Sequence, residues 1–399
     1  MLPWVRRPLL VLLFLAIFAG ELMWHAIVPL VPAFSHRFGL TKLEAGELLA
    51  STSVAILLVS IPAGMLSERF GVRRLTLVSL AVIVVADLAQ GVAGSFDALL
   101  AARFVFGLGF GILWTAGVAW LSEAAGERSA QALSLTVTTA GIGGIAGPAL
   151  AGVLVQRFGL AAPFGVAAVA TLAVLVALAL EPSGSGGAVE AAQPLASILR
   201  AAAADHGILV SVVLMSLGGL IGGVVNLLVP LQLRENGVST ASIGLLFGVA
   251  AAVFIASSAV TARFGDRVAR TGPAAVISLL AAAVMVLPAI GASTAALVAF
   301  LLLRAPIMAA LFTITFPIGV AGARRAGITV AAVAALINIV WSASVLAGPL
   351  LAGLIAQTVG NRLAFVLLSA VSLVAAAWIA YGNRRVPSAV VCDAASPIN

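Results

Sequence analysis

The chain has 399 residues, of which 62% are hydrophobic and only 9% are charged, and its mean hydropathy is +1.21. An ordinary soluble domain carries about 25% charged residues, so this composition excludes a soluble globular protein. The net charge of +7 comes from 21 basic and 14 acidic residues in short clusters between apolar runs. No basic stripe with interleaved aromatic residues occurs, which excludes a nucleic-acid-binding surface.

Cysteine and histidine are too sparse for a metal centre. Cys392 is the single cysteine, so an intrachain disulfide and a multi-cysteine metal site are excluded. The three histidines at 25, 36 and 206 are scattered. The sequence also lacks a nucleotide-binding loop and a long polar domain. We therefore expect no metal, no cofactor and no enzymatic activity.

Apolar windows along the chain predict an all-α membrane protein with twelve transmembrane helices. Helices are expected because lipid offers the backbone no hydrogen-bond partner, and about 20 apolar residues cross a bilayer. The predicted spans are 8–31, 45–67, 75–95, 98–122, 132–156, 162–181, 208–233, 242–262, 273–293, 295–320, 328–357 and 362–383.

The basic residues between the spans predict the orientation. With the N-terminus in the cytoplasm, fourteen arginines fall on the cytoplasmic side and five basic residues on the other. Cytoplasmic loops carry the excess of Lys and Arg, so we expect both termini inside, in the cell (inner) membrane. The apolar stretch after Arg6 and Arg7 resembles a signal peptide but is interpreted as a retained first span.

A polar interruption divides the chain. Residues 182–207 begin with a Pro-, Ser- and Gly-rich run typical of a flexible linker. The predicted domains are an N-terminal six-helix bundle at 1–181, a cytoplasmic linker at 182–207, a C-terminal six-helix bundle at 208–383 and a cytoplasmic tail at 384–399.

The two halves repeat each other at a shift of 201 residues. The matching positions include Val28-Pro29-Leu30 with Val229-Pro230-Leu231, Arg103 with Arg304, and Gly147-Pro148 with Gly348-Pro349. Several of these matches involve Arg or Pro, so apolar composition does not explain them. Parallel repeats of this kind place a solute cavity between two bundles near the bilayer midplane.

The loop after the second span carries a glycine, a spaced acidic-basic pair, a second glycine and a basic pair. These residues are Gly64, Glu68, Arg69, Gly71, Arg73 and Arg74. The pattern resembles the signature of the major facilitator superfamily of secondary transporters, with Glu68 in place of the usual Asp. In the second half the corresponding segment, 258–267, has Ala262 where the acid belongs.

Two further patterns are similar to signatures of that family. Arg103 in the fourth span precedes a run of glycines. A Gly-Pro pattern in the fifth span resembles that of the family's antiporters, the drug-efflux branch, and consists of Gly143, Gly147, Pro148 and Gly152. Plain close packing of helices around small residues is the alternative explanation for the second pattern.

The loop signature suggests a cytoplasmic latch. Glu68, Arg69 and Arg73 are expected to form a charge network with Glu123 or Glu127 at the end of the fourth span and to hold the outward-open state. The alternative is that these residues are topology anchors and solvated charges, each of which contributes little.

Four ionisable residues fall inside the first six spans: Glu21, His25, Asp87 and Arg103. A charge at mid-membrane costs about 2.5–3.5 kcal/mol, so each is a functional candidate. Glu21 and His25 are spaced i,i+4 and share one helical face. We expect them to carry the proton, with Asp87 as the rival. Hydrogen bonds that only join helices, or snorkelling of Arg103, are the structural alternatives.

Deep polar and aromatic residues mark candidate positions in the solute cavity. His25 aligns across the repeat with an asparagine, so titratable chemistry is expected mainly in the N-terminal half. The cavity candidates are Trp24, Asn226, Arg304, Asn338 and Trp341.

The residues together favour a secondary active transporter that exports a small hydrophobic or amphipathic solute in exchange for protons by alternating access. A proton-coupled uptake symporter on the same fold is the main alternative, and a membrane enzyme or sensor without transport is the third. The expected partners are the solute, protons and the lipid bilayer, with no nucleic acid, and we expect a monomer.

The orientation is testable at Cys392. An impermeant thiol reagent should fail to label this residue in intact cells and should label it after permeabilisation. Labelling from outside would contradict the predicted topology.

Overall fold

The computed structural model describes residues 7–181, 195–265 and 270–385. Its regular secondary structure in these ranges is helical, and twelve helices are long and apolar enough to cross a membrane. This confirms the predicted all-α fold with twelve transmembrane helices. Cys392, Arg267 and the start of the linker, 182–194, lie outside the described residues.

The spans are named first to twelfth in chain order. They run Pro8–Phe38, Lys42–Phe70, Val72–Val92, Phe96–Arg128, Gln131–Phe158, Ala162–Leu180, His206–Glu235, Thr240–Ala262, Thr271–Ile290, Thr294–Ala326, Ala332–Thr358 and Asn361–Arg384. The predicted windows match them in order and number. Several observed helices extend by up to about two turns beyond the apolar window, because an amphipathic end stays helical after it leaves the apolar layer.

Three spans are not continuous α-helices. The first changes to a 3₁₀ turn at Val28–Leu30, and the ninth is interrupted after Met285, before Pro288. Both breaks lie at a proline, which lacks the N–H that a helix needs. The fourth span contains a π-helical turn at Leu113–Gly117 that the sequence did not predict.

We call the end of the bundle that holds Pro8, Phe70 and Arg325 the inner end, following the predicted orientation, and the opposite end the outer end. The fifth and eighth spans cross between the two halves and touch near the outer end. A methyl group at Gly244 would collide with the carbonyl oxygen of Pro148, and one at Gly152 would lie 2.7 Å from the carbonyl oxygen of Thr240. Backbone therefore packs directly against backbone.

The second and eleventh spans make the equivalent contact. A methyl group at Gly46 would collide with the carbonyl oxygen of Pro349, and one at Gly353 would lie 2.5 Å from that of Lys42. Pro148 and Pro349 are equivalent in the internal repeat. The internal repeat therefore produces two pseudo-symmetric pairs of crossing helices, the fifth with the eighth span and the second with the eleventh, and these pairs join the bundles.

Polar contacts reinforce the outer closure. The Lys42 ammonium donates to Asn361 Oδ1 at 2.7 Å, and the backbone N–H of Leu43 donates to Gln357 Oε1 at 3.2 Å. At the inner ends of the second, fifth and eighth spans, large apolar side chains such as Met65, Val137 and Val260 are exposed. The two bundles are thus joined at the outer end, while these inner-end positions are exposed, and we call this conformation inner-open.

The linker region is partly helical. Leu195–Ala204 forms a short helix, and Asp205 then caps the seventh span by accepting the N–H of Ile208. Arg325, at the end of the tenth span, donates Nε and a terminal nitrogen to the two Asp205 oxygens at 2.9 and 3.0 Å. Burial alone would raise the pKa of Asp205, but these hydrogen bonds lower it below its usual value.

This ion pair predicts a pH-dependent stability. The folded-state pKa of Asp205 is depressed, so the contribution is present above the ordinary aspartate value, near 4, and disappears as the pH falls through the lower folded value. We expect Arg325→Ala to destabilise the protein by about 1 kcal/mol at pH 7. The measurement is the thermal unfolding midpoint in detergent.

Arg324→Ala is the matched control, because Arg324 is an exposed neighbour on the same turn. The difference between Arg325→Ala and wild type should shrink as the pH is lowered toward 3. A difference that is constant with pH, or an equal effect of Arg324→Ala, would contradict a role for the pair.

Candidate proton and solute site

Glu21 and His25 form a pair in the middle of the first span. Glu21 lies about 20 Å along the helix from Pro8. Its carboxylate Oε2 is 3.5 Å from His25 Nε2, as the i,i+4 spacing predicts. The Glu21 side chain is 10% exposed and that of His25 is 37% exposed. Of the two partners, the imidazole is therefore the more accessible and the carboxylate the more shielded.

The second carboxylate oxygen of Glu21 is held by Trp114. The indole Nε1–H donates to Glu21 Oε1 at 2.9 Å. Trp114 lies in the π-helical turn of the fourth span, so this unusual turn places a hydrogen-bond donor against a carboxylate in the membrane. Both oxygens of Glu21 thus have a partner, which is the usual condition for burying a charged group.

The fifth span packs against this pair through glycines. A methyl group at Gly143 would lie 2.7 Å from Glu21 Cβ, and one at Gly144 would lie 3.4 Å from His25 Nε2. A methyl group at Gly147 would collide with the carbonyl oxygen of Leu22 in the first span. The Gly-Pro pattern of the fifth span and the ionisable pair of the first span were identified separately in the sequence, and the structure brings them together.

Aromatic rings surround the same depth of the bundle. Trp24 stacks on Phe110 at a centroid distance of 5.1 Å and reaches Trp341 of the other bundle at 6.2 Å. Both tryptophans and Asn226 are partly exposed, and Asn338 is exposed. The candidate cavity residues Trp24 and Trp341 therefore meet across the interface between the two halves.

Asp87 and Arg103 form a separate polar cluster between the third and fourth spans. Gln90 links them: its amide N donates to Asp87 Oδ1, and its amide O accepts from Arg103, both at 3.4 Å. Asp87 is 0% and Arg103 1% exposed. The guanidinium also lies 5.0 Å from the Phe106 ring centroid. Arg103 does not snorkel to the surface, because its partners lie within the helix bundle.

Arg304, the repeat equivalent of Arg103, is partly buried in the tenth span. Its Nε is buried, and no hydrogen-bond partner for it lies within the described residues. The position that would match Asp87 across the repeat is Pro288. The charged cluster of the first half therefore has no complete counterpart in the second.

The loop signature adopts a different arrangement from the predicted latch. Gly71 has φ +85°, a conformation that favours glycine. Arg73 donates to the carbonyl oxygens of Ala179 and Glu181, both at 2.9 Å, at the end of the sixth span. Glu68 and Arg69 are exposed. In this inner-open conformation Arg73 fastens the loop to its own bundle, and the latch of the outward-open state stays a prediction.

Glu123 lies at the inner end of the fourth span. It lines a cavity of about 470 Å³ together with Arg7, Glu127 and Arg128. Gly64, at the start of the loop signature, has open space around it. These two residues of the predicted gating set are thus near the inner surface and distant from the Glu21 pair.

Sequence reasoning missed two residues. Trp114 and Gln90 contact the predicted ionisable groups, but neither is ionisable and neither belongs to a recognised pattern. The deep position of Trp114 among glycines was a usable signal, since a buried indole N–H normally needs an acceptor. Gln90 stands three residues after Asp87, a spacing at which side chains meet on a helix.

The glycine contacts predict a sharp difference between two substitutions. Gly147→Val should force the first and fifth spans apart, because the new side chain meets backbone, and should cost about 3 kcal/mol or more. Gly165→Val in the sixth span is the control, because that position has open space. The amount of monodisperse protein after gel filtration measures the effect, and an equal yield of both variants would contradict the packing argument.

Comparison with known proteins agrees with this architecture. The model of the Major Facilitator Superfamily matches residues 13–344. A similar curated protein, the MFS-type transporter ppzB of Metarhizium rileyi, is 29% identical over 185 residues, which cover 44% of this chain and 38% of the relative. The probable 4-methylmuconolactone transporter of Cupriavidus pinatubonensis is 35% identical over 99 residues, covering 25% and 23%.

A solved structure shows the same fold. It is that of a bacterial homologue of the human lysosomal transporter Spinster in an inward-facing, occupied conformation, with a TM-score of 0.78, 15% identity, and coverage of 97% of this chain and 98% of that one. The alignments to the two curated relatives span well under half of each relative's length. The family match spans most of the twelve helices, and the chain belongs to the Major Facilitator Superfamily of secondary transporters.

Proposed function

We propose that the chain exports a small amphipathic solute in exchange for protons, and that Glu21 carries the proton with His25 as its relay. One observation carries this proposal: the Glu21 carboxylate is shielded near the middle of the first span, with 10% of its side chain exposed, while its partner His25 is 37% exposed. An imidazole can accept a proton on one ring nitrogen and release one from the other, so it suits the transfer of a proton to and from a shielded carboxylate.

The position of the pair supports coupling to the conformational change. Glu21 and His25 pack on Gly143 and Gly144 of the fifth span, and the same span contacts the other bundle through Pro148 and Gly152. In this proposal, a change of charge at Glu21 acts on the fifth span, the helix that contacts both Glu21 and the other bundle. Coupling needs such a shared element, whose equilibrium both events bias.

Asp87 is a weaker candidate for the proton carrier. It is fully buried beside Gln90 and Arg103, and its contacts are to the third and fourth spans of one bundle. A buried carboxylate that faces a cation through a bridging amide has the environment of a structural link. We propose that this cluster joins the two helices and does not exchange protons during transport.

The aromatic rings indicate the kind of solute. Trp24, Trp114 and Trp341 offer partly exposed ring surface at the depth of Glu21, and Asn226 and Asn338 add neutral hydrogen-bonding groups. Such a lining suits a small, partly flat organic molecule with few charges. One relative is named as a probable transporter of 4-methylmuconolactone, which is a small organic compound with a ring.

For the outward-open state, the proposed latch is a charge network of Glu68, Arg69 and Arg73 with Glu123 or Glu127 at the inner end of the fourth span.

Transport by Glu21→Gln tests the proposal. The variant keeps the size and hydrogen-bonding capacity of the side chain but does not titrate. In proteoliposomes it should still exchange solute for solute, while proton-driven movement against a solute gradient should fall at least about tenfold. Asp87→Asn should retain most of the driven transport per folded molecule.

Two outcomes would contradict the proposal. If Glu21→Gln drives solute uphill as well as wild type and Asp87→Asn does not, the proton site lies in the third span. If the imposed proton gradient drives the solute into the compartment that the protons enter, the protein is a symporter and the proposed exchange of solute for protons is wrong.

A further inference from the structure

Trp114 is the one partner of Glu21, among its hydrogen-bond and ion-pair contacts in the described residues, that comes from another helix. The other partner, His25, lies on the same helix. Gly143 of the fifth span packs against Glu21 Cβ and brings no polar side chain to it. The described titratable group that faces Glu21 is therefore His25, and the group that positions it from outside is an indole.

The backbone that carries Trp114 is unusual. Residues Leu113–Gly117 form a π-helical turn, and π-helical turns are rare and concentrate at functional sites. The α-helix before this turn is packed tightly: a methyl group at Gly107 would lie 2.6 Å from the carbonyl oxygen of Thr52, and one at Gly111 2.6 Å from Val59 Cγ1. These contacts hold the preceding helix closely against the second span, so a rearrangement of the fourth span is more easily accommodated at the wide turn.

Such an adjustment would move the indole. A π-helical turn contains one residue more than an α-helical turn, so its return to regular α-helix would carry Trp114 about 100° around the helix axis. The N–H would then leave Glu21. Because an N–H donor stabilises a carboxylate more than a carboxylic acid, the two states of the turn favour different protonation states of Glu21.

We propose that Trp114 is a positioning residue for proton exchange: its indole N–H, presented by the π-helical turn, holds Glu21 in the ionised form in the inner-open state. The inference rests on the proposed role of Glu21 as proton carrier. Trp114 is also partly exposed, and its ring lies 6.4 Å from Phe110, on which Trp24 stacks. The residue that orders the proton site therefore also belongs to the aromatic cluster of the proposed solute site.

Infrared titration of the purified full chain tests the proposal without a solute. The carboxylic acid band of Glu21 is identified as the band that Glu21→Gln removes. In Trp114→Phe, which keeps an aromatic ring and loses the N–H, this band should persist to a pH about one unit higher than in wild type. Trp120→Phe, a buried tryptophan of the same span, is the control and should leave the titration unchanged.

A midpoint that is the same in Trp114→Phe and wild type would overturn the positioning role, and so would an equal shift in Trp120→Phe. If no band depends on Glu21, the proposed proton carrier fails together with the inference. If the band titrates normally but Trp114→Phe does not alter it, only the inference fails, so the two failures are distinguishable.

A second measurement applies if Trp114→Phe does not fold. The indole N–H signals of the six tryptophans are recorded in ¹⁵N-tryptophan-labelled wild type as the pH is varied. One signal should follow the Glu21 carboxyl band, and its pH response should vanish in Glu21→Gln. The absence of any indole signal with that response would equally overturn the proposal.

Discussion

Direct contact between helix backbones along the fifth span is the constraint on which the rest of the structure depends. Gly147 leaves no room for a side chain against Leu22 of the first span, and the carbonyl oxygen of Pro148 leaves none at Gly244 of the eighth. Water-driven hydrophobic association is absent between helices in lipid, so association there depends on such close packing and on hydrogen bonds. Two successive residues of the fifth span thus contact the first span of its own bundle and the eighth span of the other bundle.

The proton site depends on this packing. Gly143 and Gly144 bring the fifth span against Glu21 and His25, and Trp114 of the fourth span donates a hydrogen bond to Glu21. Three helices therefore meet at one carboxylate. Because protein interiors respond to a change of shape by moving between discrete packings, the charge state of that carboxylate is well placed to bias which packing of the fifth and eighth spans is preferred.

The number, order and type of the helices were predictable because lipid leaves the backbone few alternatives. The spacing of Glu21 and His25 also predicted their contact, since residues four apart on a helix meet. The internal repeat predicted that Pro148 and Pro349 play equivalent parts, and both do so with a glycine of the opposite bundle.

Other features were beyond the sequence because they depend on long-range packing. The residues of the π-helical turn at Leu113–Gly117 are not of types that distinguish it from an ordinary α-helix in the sequence. The position of Arg73 depends on which carbonyl oxygens the sixth span leaves nearby, and in this conformation they belong to Ala179 and Glu181. Residue spacing describes one helix at a time, so it does not show in which state of the cycle a charge network between spans would form.

The central claim is that the charge of Glu21 acts on the interface between the fifth and eighth spans. The most direct measurement is the distance between spin labels at Val137 and Val260, two exposed inner-end positions on those spans, in protein whose native Cys392 has been replaced by serine. The account predicts that the distance distribution of the otherwise wild-type protein changes between pH 5 and pH 8, whereas Glu21→Gln shows one distribution at both values. An equal response to pH in Glu21→Gln would contradict it.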